Sequence, residues 1–313
     1  MPVGLIECDG QQVRPELTFR VGDRDANGWL CDHGASLEVL VSNKGNERSA
    51  VARRRETRVL VLSLPDAKAR RDAFSDQAKT PLKWRFFDAA TELSPALSYD
   101  PVTALRQGGR LLSQAELGCY SSHFQMWRAL LADDAADRYL VLEDDVQVDW
   151  PFIERLVDAD QAEVPWPLLR LWFALPVPTR KVFGPLFGTY QVVELLDHGF
   201  STVAYVIDKA AAARLVAALA EVVVPVDVAI EQGWRHGVRN LAVFPFPVLH
   251  PIGPSHIGGE RWTDAPKPLA MRVERGARRV VEALRRLLWH WRGALRSAQA
   301  NRHPDCPNEQ RSG

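Results

Sequence analysis

The stretch Arg138 to Val148, RYLVLEDDVQV, constrains the fold more than any other part of the chain. Tyr139 to Leu142 is a continuous apolar, β-rich run, the pattern of a strand buried on both faces in a parallel sheet. Glu143, Asp144 and Asp145 follow without a break. Taking a carboxylate out of water without a partner costs several kcal/mol. The three acids therefore belong at the strand's carboxyl edge, where open α/β sheets bind their ligands. Adjacent like charges repel, and a bound divalent cation relieves that repulsion. Two readings follow from these residues: a metal-and-diphosphate site, or a solvated acidic turn after a strand.

The surrounding chain is one that can bury a core. Its 313 residues are 46% hydrophobic and 25% charged, a length that fits one large domain or two modest ones. The formal net charge is zero, so bulk electrostatics favours neither nucleic acid nor an anionic surface. Cys8, Cys31, Cys119 and Cys306 are scattered, with no CxxC and no zinc spacing, which fits a reduced, cytoplasmic chain. No N-terminal stretch has the charged start and apolar core of a signal peptide, and no run approaches roughly 18 apolar residues. The expectation is a chain that neither spans a membrane nor enters the secretory route.

Residues 1–56 mix GDRDANG, SNKGNERS and ARRRE with short apolar islands and are expected to form a poorly ordered or accessory extension, with a short strand or two around Leu37 to Val41. Over 57–262 strands and helices alternate, the pattern of a mixed, mainly parallel sheet flanked by helices. Arg58 to Leu64 reads as a strand, Lys68 to Gln77 as a helix, and Leu82 to Phe87 as a second strand ending at Asp88. Ser113-Gln-Ala-Glu116 is a capping box opening a helix with Leu117, Tyr120, Phe124, Trp127 and Leu131 as its core stripe. After the acids, Leu168 to Leu175, Tyr190 to Leu196 and Ser201 to Ile207 read as strands. Helices follow from Lys209 to about Ala220 and from Pro225 through Trp234. Leu241 to Leu249, with its two prolines, reads as an edge strand leading to His250, and the Pro/Gly-rich 176–188 as a loop.

From Lys267 to Arg296, arginines alternate with Val280, Val281, Leu284, Leu287, Leu288, Trp289, Trp291 and Leu295. This is a basic amphipathic helix with aromatic residues, the composition that lies in a membrane interface. The alternative is a terminal helix packed on the domain with a solvated arginine face. The domain expectation is thus an extension (1–56), a catalytic domain (57–262) and an Arg/Trp-rich tail (263–313).

Four stretches in order, RVLVLSLPDAKARRDAF, WRFFDAA, LSQAELGCYSSHFQMW and YLVLEDDV, resemble glycosyltransferase family 25, the enzymes of lipopolysaccharide and lipooligosaccharide assembly, with collagen galactosyltransferases as relatives. The resemblance continues through GFSTVAYVIDKAAAARL and the PVD at 225–227; the extension and the tail lie outside it. It implies a GT-A-like fold that moves galactose or glucose from a UDP-sugar to a glycolipid such as the lipopolysaccharide core. It also implies Mn²⁺ or Mg²⁺ held by the acids against the donor diphosphate. Carboxylate oxygens suit these hard cations, which neutralise charge developing on a diphosphate leaving group.

In that frame Asp145 is the expected direct metal ligand and Asp144 a second ligand or a donor-ribose contact. Glu143 is a further acid of the site or a structural residue. His250 is the candidate third ligand, against a hydrogen-bonded loop histidine. Ser63, at the end of the first strand, Arg70 just after it, and Asp88 are candidate contacts to nucleotide and phosphate; Arg71 is equally a solvated helix residue. Ser122 and His123, with Gly118 and Cys119 before them, match the family's Gly-Cys-x-x-Ser-His pattern, which places them in the donor pocket; spacing alone would make His123 a core histidine. Asp227 is the candidate base for the acceptor hydroxyl if the reaction inverts, against a helix N-cap, with Glu231 one turn later on the same face. A non-catalytic family member docked on a membrane as a sugar-binding scaffold is the alternative function. The expected location is the cytoplasm, peripheral on the inner face of the membrane, with no nucleic-acid partner.

Overall fold

A computed structural model describes residues 56–160, 163–250 and 269–300, together with two short strands near the N-terminus. The chain divides into two units, Met1–Ala52 and Arg53–Gly313. In the first, β1 (Ile6–Cys8) pairs antiparallel with β2 (Gln11–Val13). The strand expected around Leu37 to Val41 lies outside the described residues.

The second unit opens with β3 (Thr57–Ser63), α1 (Lys68–Gln77) and β4 (Trp84–Asp88). Next come β5 (Ser98–Tyr99), the short α2 (Pro101–Thr103) running into a π-helical turn at Ala104–Gly108, and α3 (Gln114–Ala132). Then β6 (Arg138–Glu143), β7 (Gln147–Val148), α4 (Trp150–Asp158), β8 (Leu168–Arg170), β9 (Thr179–Leu186) and β10 (Tyr190–Leu195) follow. The remainder is β11 (Ala204–Asp208), α5 (Lys209–Ala218), β12 (Glu221–Val222), α6 (Val226–Glu231), α7 (Gly233–His236), β13 (Leu241–Phe244), β14 (Val248–Leu249) and α8 (Leu269–Ala300).

Eight strands form one sheet in the order β4-β3-β6-β11-β8-β13-β10-β9. The sheet is mixed: β4, β3 and β6 are parallel, whereas β11 and β10 run against their neighbours. Its central strands are apolar on both faces because each face is covered. Leu60, Leu62, Tyr139 and Val141 point into a core with Tyr120, Phe124 and Trp127 of α3 and Leu215 of α5. The alternate residues Val59, Val61, Leu140 and Leu142 pack with Phe74 of α1 and Ile153 and Leu156 of α4.

Ser113 caps α3 by accepting from the Glu116 amide, while the Glu116 side chain returns to the Ser113 amide. Glu116 is also gripped by both terminal nitrogens of Arg110, at 2.7 and 2.5 Å. The buried stripe of α3 ends on Leu130, one position before the expected Leu131, which is exposed.

Three expectations are corrected. The stretch 176–188 is not a loop: Thr179–Leu186 forms the edge strand β9, with exposure alternating along it and Pro185 near its end. An edge tolerates proline because only one side of the strand is hydrogen-bonded. Leu241 to Leu249 is not one edge strand either. Leu241–Phe244 lies inside the sheet between β8 and β10, and Val248–Leu249 pairs elsewhere, with Gln147–Val148. Finally, the strand expected from Ser201 begins only at Ala204, because Phe200 and Ser201 take left-handed backbone angles (φ 55° and 79°).

Helix α8 rests on this unit through one face. A Cβ at Gly233 would lie 2.8 Å from the Trp289 indole nitrogen, so only glycine allows that approach. Arg286 pairs with Asp197, and His290 Nδ1 lies 3.5 Å from Glu194 Oε1. Val280, Val281, Leu284, Leu287, Leu288 and Trp291 are exposed. With 100° between successive residues, they form a stripe on the side of the helix opposite these contacts. Among the described residues no helix is long and apolar enough to cross a membrane.

Candidate active site

Strand register assembles the site. Ser63 lies opposite Asp88 in the β3–β4 ladder, and Leu62 lies opposite Glu143 in the β3–β6 ladder. Asp88, Ser63 and Asp144 therefore come abreast at the carboxyl edge of three parallel strands. Ser63 Oγ donates to Asp144 Oδ2 at 2.5 Å, and both residues are buried.

The first two turns of α1 add the positive charge. Arg70 Nη1 lies 3.2 Å from Asp144 Oδ1 and 3.7 Å from Asp145 Oδ2. Arg71 donates to the Ser63 hydroxyl (3.2 Å), the Ser63 carbonyl (3.0 Å) and Asp88 Oδ1 (2.5 Å). Arg71 is thus a strut joining the ends of two strands rather than a solvated helix residue; its fork of donors makes that possible. The tandem arginines that follow an apolar strand are the sequence signal for it.

The two-residue ladder between β7 and β14 sets Leu249 against Gln147, which carries the next residue, His250, toward the acids. His250 Nε2 lies 3.5 Å from Asp145 Oδ1, a buried oxygen that accepts no hydrogen bond from the described residues. Burial, and then the Asp145 and Asp144 carboxylates, push Glu143 up to about 8, with the neighbouring Asp227 adding to the effect. Asp144 is also raised by burial, a rise opposed by the Ser63 hydrogen bond and by Arg70. The edge is a concentration of negative charge that its own arginines only partly compensate.

Asp227, in the first turn of α6, is half-buried. It does not cap that helix: the N-cap is Pro225, and Asp227 Oδ1 accepts from the next amide, Val228, at 2.9 Å. Glu231, on the same face one turn later, is committed. Its Oε1 takes Arg170 and the Gly199 amide, and its Oε2 meets His198 Nδ1 at 2.9 Å.

Ser122 and His123 lie elsewhere, fully buried on α3. Ser122 Oγ donates to the Gly118 carbonyl and accepts from the Ala90 amide, both at 2.8 Å. Ser121 does the same for Ser94. The pair staples the segment after β4 to the helix, and a Cβ at Gly118 would lie 2.5 Å from the Ala90 carbonyl oxygen. His123 Nδ1 is 2.8 Å from the Tyr205 hydroxyl, which also accepts from Trp127 Nε1 at 3.1 Å, and burial holds the imidazole down at about 3. Their place is inside the core, behind the segment that follows Asp88.

The structure therefore brings Ser63, Arg70, Asp88, Asp144, Asp145 and His250 to one edge, with Asp227 within electrostatic reach. Sequence reasoning missed Arg170 and His198, whose partners lie tens of residues away. Among the described residues no group of three or more His, Cys, Asp or Glu side chains is arranged to hold a metal ion by itself.

Compared with known proteins, residues 56–230 match the model of glycosyltransferase family 25, described as LPS biosynthesis protein. Mouse (Mus musculus) procollagen galactosyltransferase 2 is 31% identical over 115 residues, which are 35% of this chain and 18% of that protein. The human (Homo sapiens) protein of the same name is 30% identical over the same shares. A bovine (Bos taurus) protein named probable inactive glycosyltransferase 25 family member 3 is 35% identical over 119 residues, again 35% of this chain and 18% of its own. The match thus covers under a fifth of each of these relatives. The family-model match over residues 56–230 covers more than half of the chain, from β3 to the last turn of α6, including every strand end that carries the acidic edge except that of His250, and on that ground the chain belongs to glycosyltransferase family 25.

Proposed function

We propose that this chain transfers a hexose, galactose or glucose, from a UDP-sugar to a glycolipid such as the lipopolysaccharide core, on a GT-A-like fold and with Mn²⁺ or Mg²⁺. The observation that carries the reading is the convergence of Ser63, Arg70, Asp88, Asp144, Asp145 and His250 at one sheet edge in a chain of this family.

The residues fit a divalent cation through the pair Asp145 and His250. Asp145 Oδ1 is buried, without a hydrogen bond among the described residues, and faces an imidazole nitrogen. Asp144 is nearer to Ser63 and Arg70 than to a free coordination role, so it is the second ligand only if it lets one of them go. Mg²⁺ and Mn²⁺ suit such a site, because they are held by one or two carboxylates plus substrate phosphates rather than by a full protein cage. When bound, the cation neutralises charge on the departing diphosphate.

The chain's own groups supply the rest. Arg70 stabilises phosphate oxygens, and Asp88 accepts from ribose hydroxyls at the end of β4. Asp227 takes the proton from the acceptor hydroxyl if the anomeric centre inverts. Ser122 contributes by holding the segment behind the donor, and His123 through its core contact with Tyr205.

The reading places the chain in the cytoplasm, peripheral on the inner face of the membrane, through α8. Contacts from Arg286, Trp289 and His290 occupy one side of that helix, which leaves the Val280–Trp291 stripe, flanked by arginines, for an anionic leaflet. Removing residues from Lys267 onward is expected to lower flotation with anionic liposomes, and added salt to lower it in the intact chain. Unchanged partitioning of the truncated chain would sink the membrane reading.

A non-catalytic sugar-binding scaffold is the second reading, favoured by the inactive relatives. Thermal stabilisation by a panel of nucleotide sugars, with Mn²⁺ or with chelator, separates the two. A donor at about 100 times its Kd contributes roughly 2.7 kcal/mol. Metal-dependent stabilisation by one UDP-sugar is the expected result; a folded chain that responds to none would favour the scaffold.

A further inference from the structure

We infer that His198, Phe200 and Trp234 form a saccharide subsite for the acceptor, preorganised by Arg170 and by Glu231, which stands one turn of α6 from Asp227. The inference rests on the transferase reading and names where the second substrate lies.

The turn before β11 is held in a costly shape. Phe200 and Ser201 both have left-handed backbone angles, a region that non-glycine residues rarely adopt. Such outliers persist where the surroundings over-determine them, and they gather at ligand clamps. Arg170, with its side chain only 2% exposed, supplies the constraint here. One terminal nitrogen donates to the Phe200 and Ser201 carbonyls, and the other to Glu231 and to Asn240 Oδ1.

The same buried carboxylate orients His198. Glu231 is 1% exposed and charged against Arg170, so at Oε2 it accepts the Nδ1 proton of His198 at 2.9 Å. That bond orients the ring and leaves Nε2 to hydrogen-bond an outside group, such as a sugar hydroxyl, which can both donate and accept. His198 is 24% exposed, stacks on Phe200 (5.8 Å, 22°) and meets Trp234 edge-on (6.3 Å, 71°). Phe200 and Trp234 are themselves half-buried. Aromatic surfaces beside one fixed acceptor atom match a hexose, whose C–H face is apolar and whose rim is hydroxylated.

Position ties this cluster to the chemistry. Val203, two residues past Ser201, takes the Glu143 amide at 2.8 Å. Asp227 and Glu231 are neighbours on α6, about 5–6 Å apart at Cβ. Asp227 acts electrostatically on Glu143 and stands one turn from Glu231, the partner of His198, so α6 links the acids to the aromatic cluster.

The test uses the full chain and two ligands, UDP with Mn²⁺ and a deacylated lipopolysaccharide core oligosaccharide, followed by calorimetry and saturation-transfer NMR. Trp234→Ala and His198→Phe, the latter keeping an aromatic ring but losing both nitrogens, are expected to weaken oligosaccharide binding at least tenfold. UDP–Mn²⁺ binding should be unaltered, and Trp234→Phe should recover part of the loss. Oligosaccharide binding equal to wild type in both variants, or absent in the wild type, overturns the inference. Parallel loss of UDP binding overturns it too, since the cluster would then belong to the donor side. If the wild type binds the oligosaccharide through Trp234 but never UDP, the subsite stands and the transferase reading falls.

Discussion

Two carboxylates near the same sheet edge are treated in opposite ways. Glu143, at the end of β6, is pushed up to about 8 by burial and then by the crowding Asp145 and Asp144 carboxylates. Glu231, at the end of α6, feels a similar upward push from burial, but Arg170 and His198 outweigh it and hold the group below the usual carboxylate range. On the β3–β6 side negative charge is left in excess, with Asp145 Oδ1 buried and accepting no hydrogen bond among the described residues. On the β8–β11 side both Glu231 oxygens have partners. The first arrangement is short of positive charge, which a cation would supply; the second is complete and serves to hold shape.

The largest expected effect breaks the completed half. Arg170→Met removes the positive charge at nearly constant volume and leaves Glu231 buried without compensation, at a cost of about 3–5 kcal/mol in urea unfolding. Adding Glu231→Gln should return part of that loss, because the two changes share one interaction. A single variant as stable as the wild type would show that the clamp contributes little.

Breaking the deficient half should do the reverse. Asp145→Ala removes negative charge from a crowded edge, so stability without ligand should hold or rise slightly. Metal-dependent stabilisation by UDP, about 2.7 kcal/mol at 100 times Kd, should vanish. Persistence of that stabilisation would move the cation away from Asp145.

The smallest effect sharpens the contrast through pH. The folded state lowers the Glu231 pKa, so this group's contribution is fully present above its ordinary value of 4.5. It is lost as the pH falls through the folded value, because the unfolded chain takes up the proton first. Glu231→Gln should therefore flatten the acid limb of the stability curve relative to wild type. An identical limb would mean that Glu231 is not held ionised.

Legibility in the sequence tracked the range of the interaction. Strand β6 and its acids, the capping box of α3 and the arginines of α1 are local patterns, readable because an apolar run, a Ser-x-x-Glu and a strand-to-helix junction each span only a few residues. The convergence of Ser63, Asp88 and Asp144 followed once the strands were taken as parallel neighbours. His250 depended on a two-residue ladder that two nearby prolines disguised as part of a longer strand. The Arg170 clamp was not legible at all, since it joins residues 30, 61 and 70 positions apart. His123 shows the converse: a histidine beside a serine in a family motif looks like a ligand contact, yet it sits in the core on a tyrosine hydroxyl.

Arg170 grips the turn at Phe200 and Ser201 by their carbonyl oxygens, which every amino acid possesses. The side chains at 200 and 201 are therefore free to drift without releasing the clamp, within the limits of a left-handed backbone that favours Gly, Asn and Asp and resists β-branched residues. Homologous chains, or a directed library at these two positions, can change what the turn displays while its shape is inherited intact.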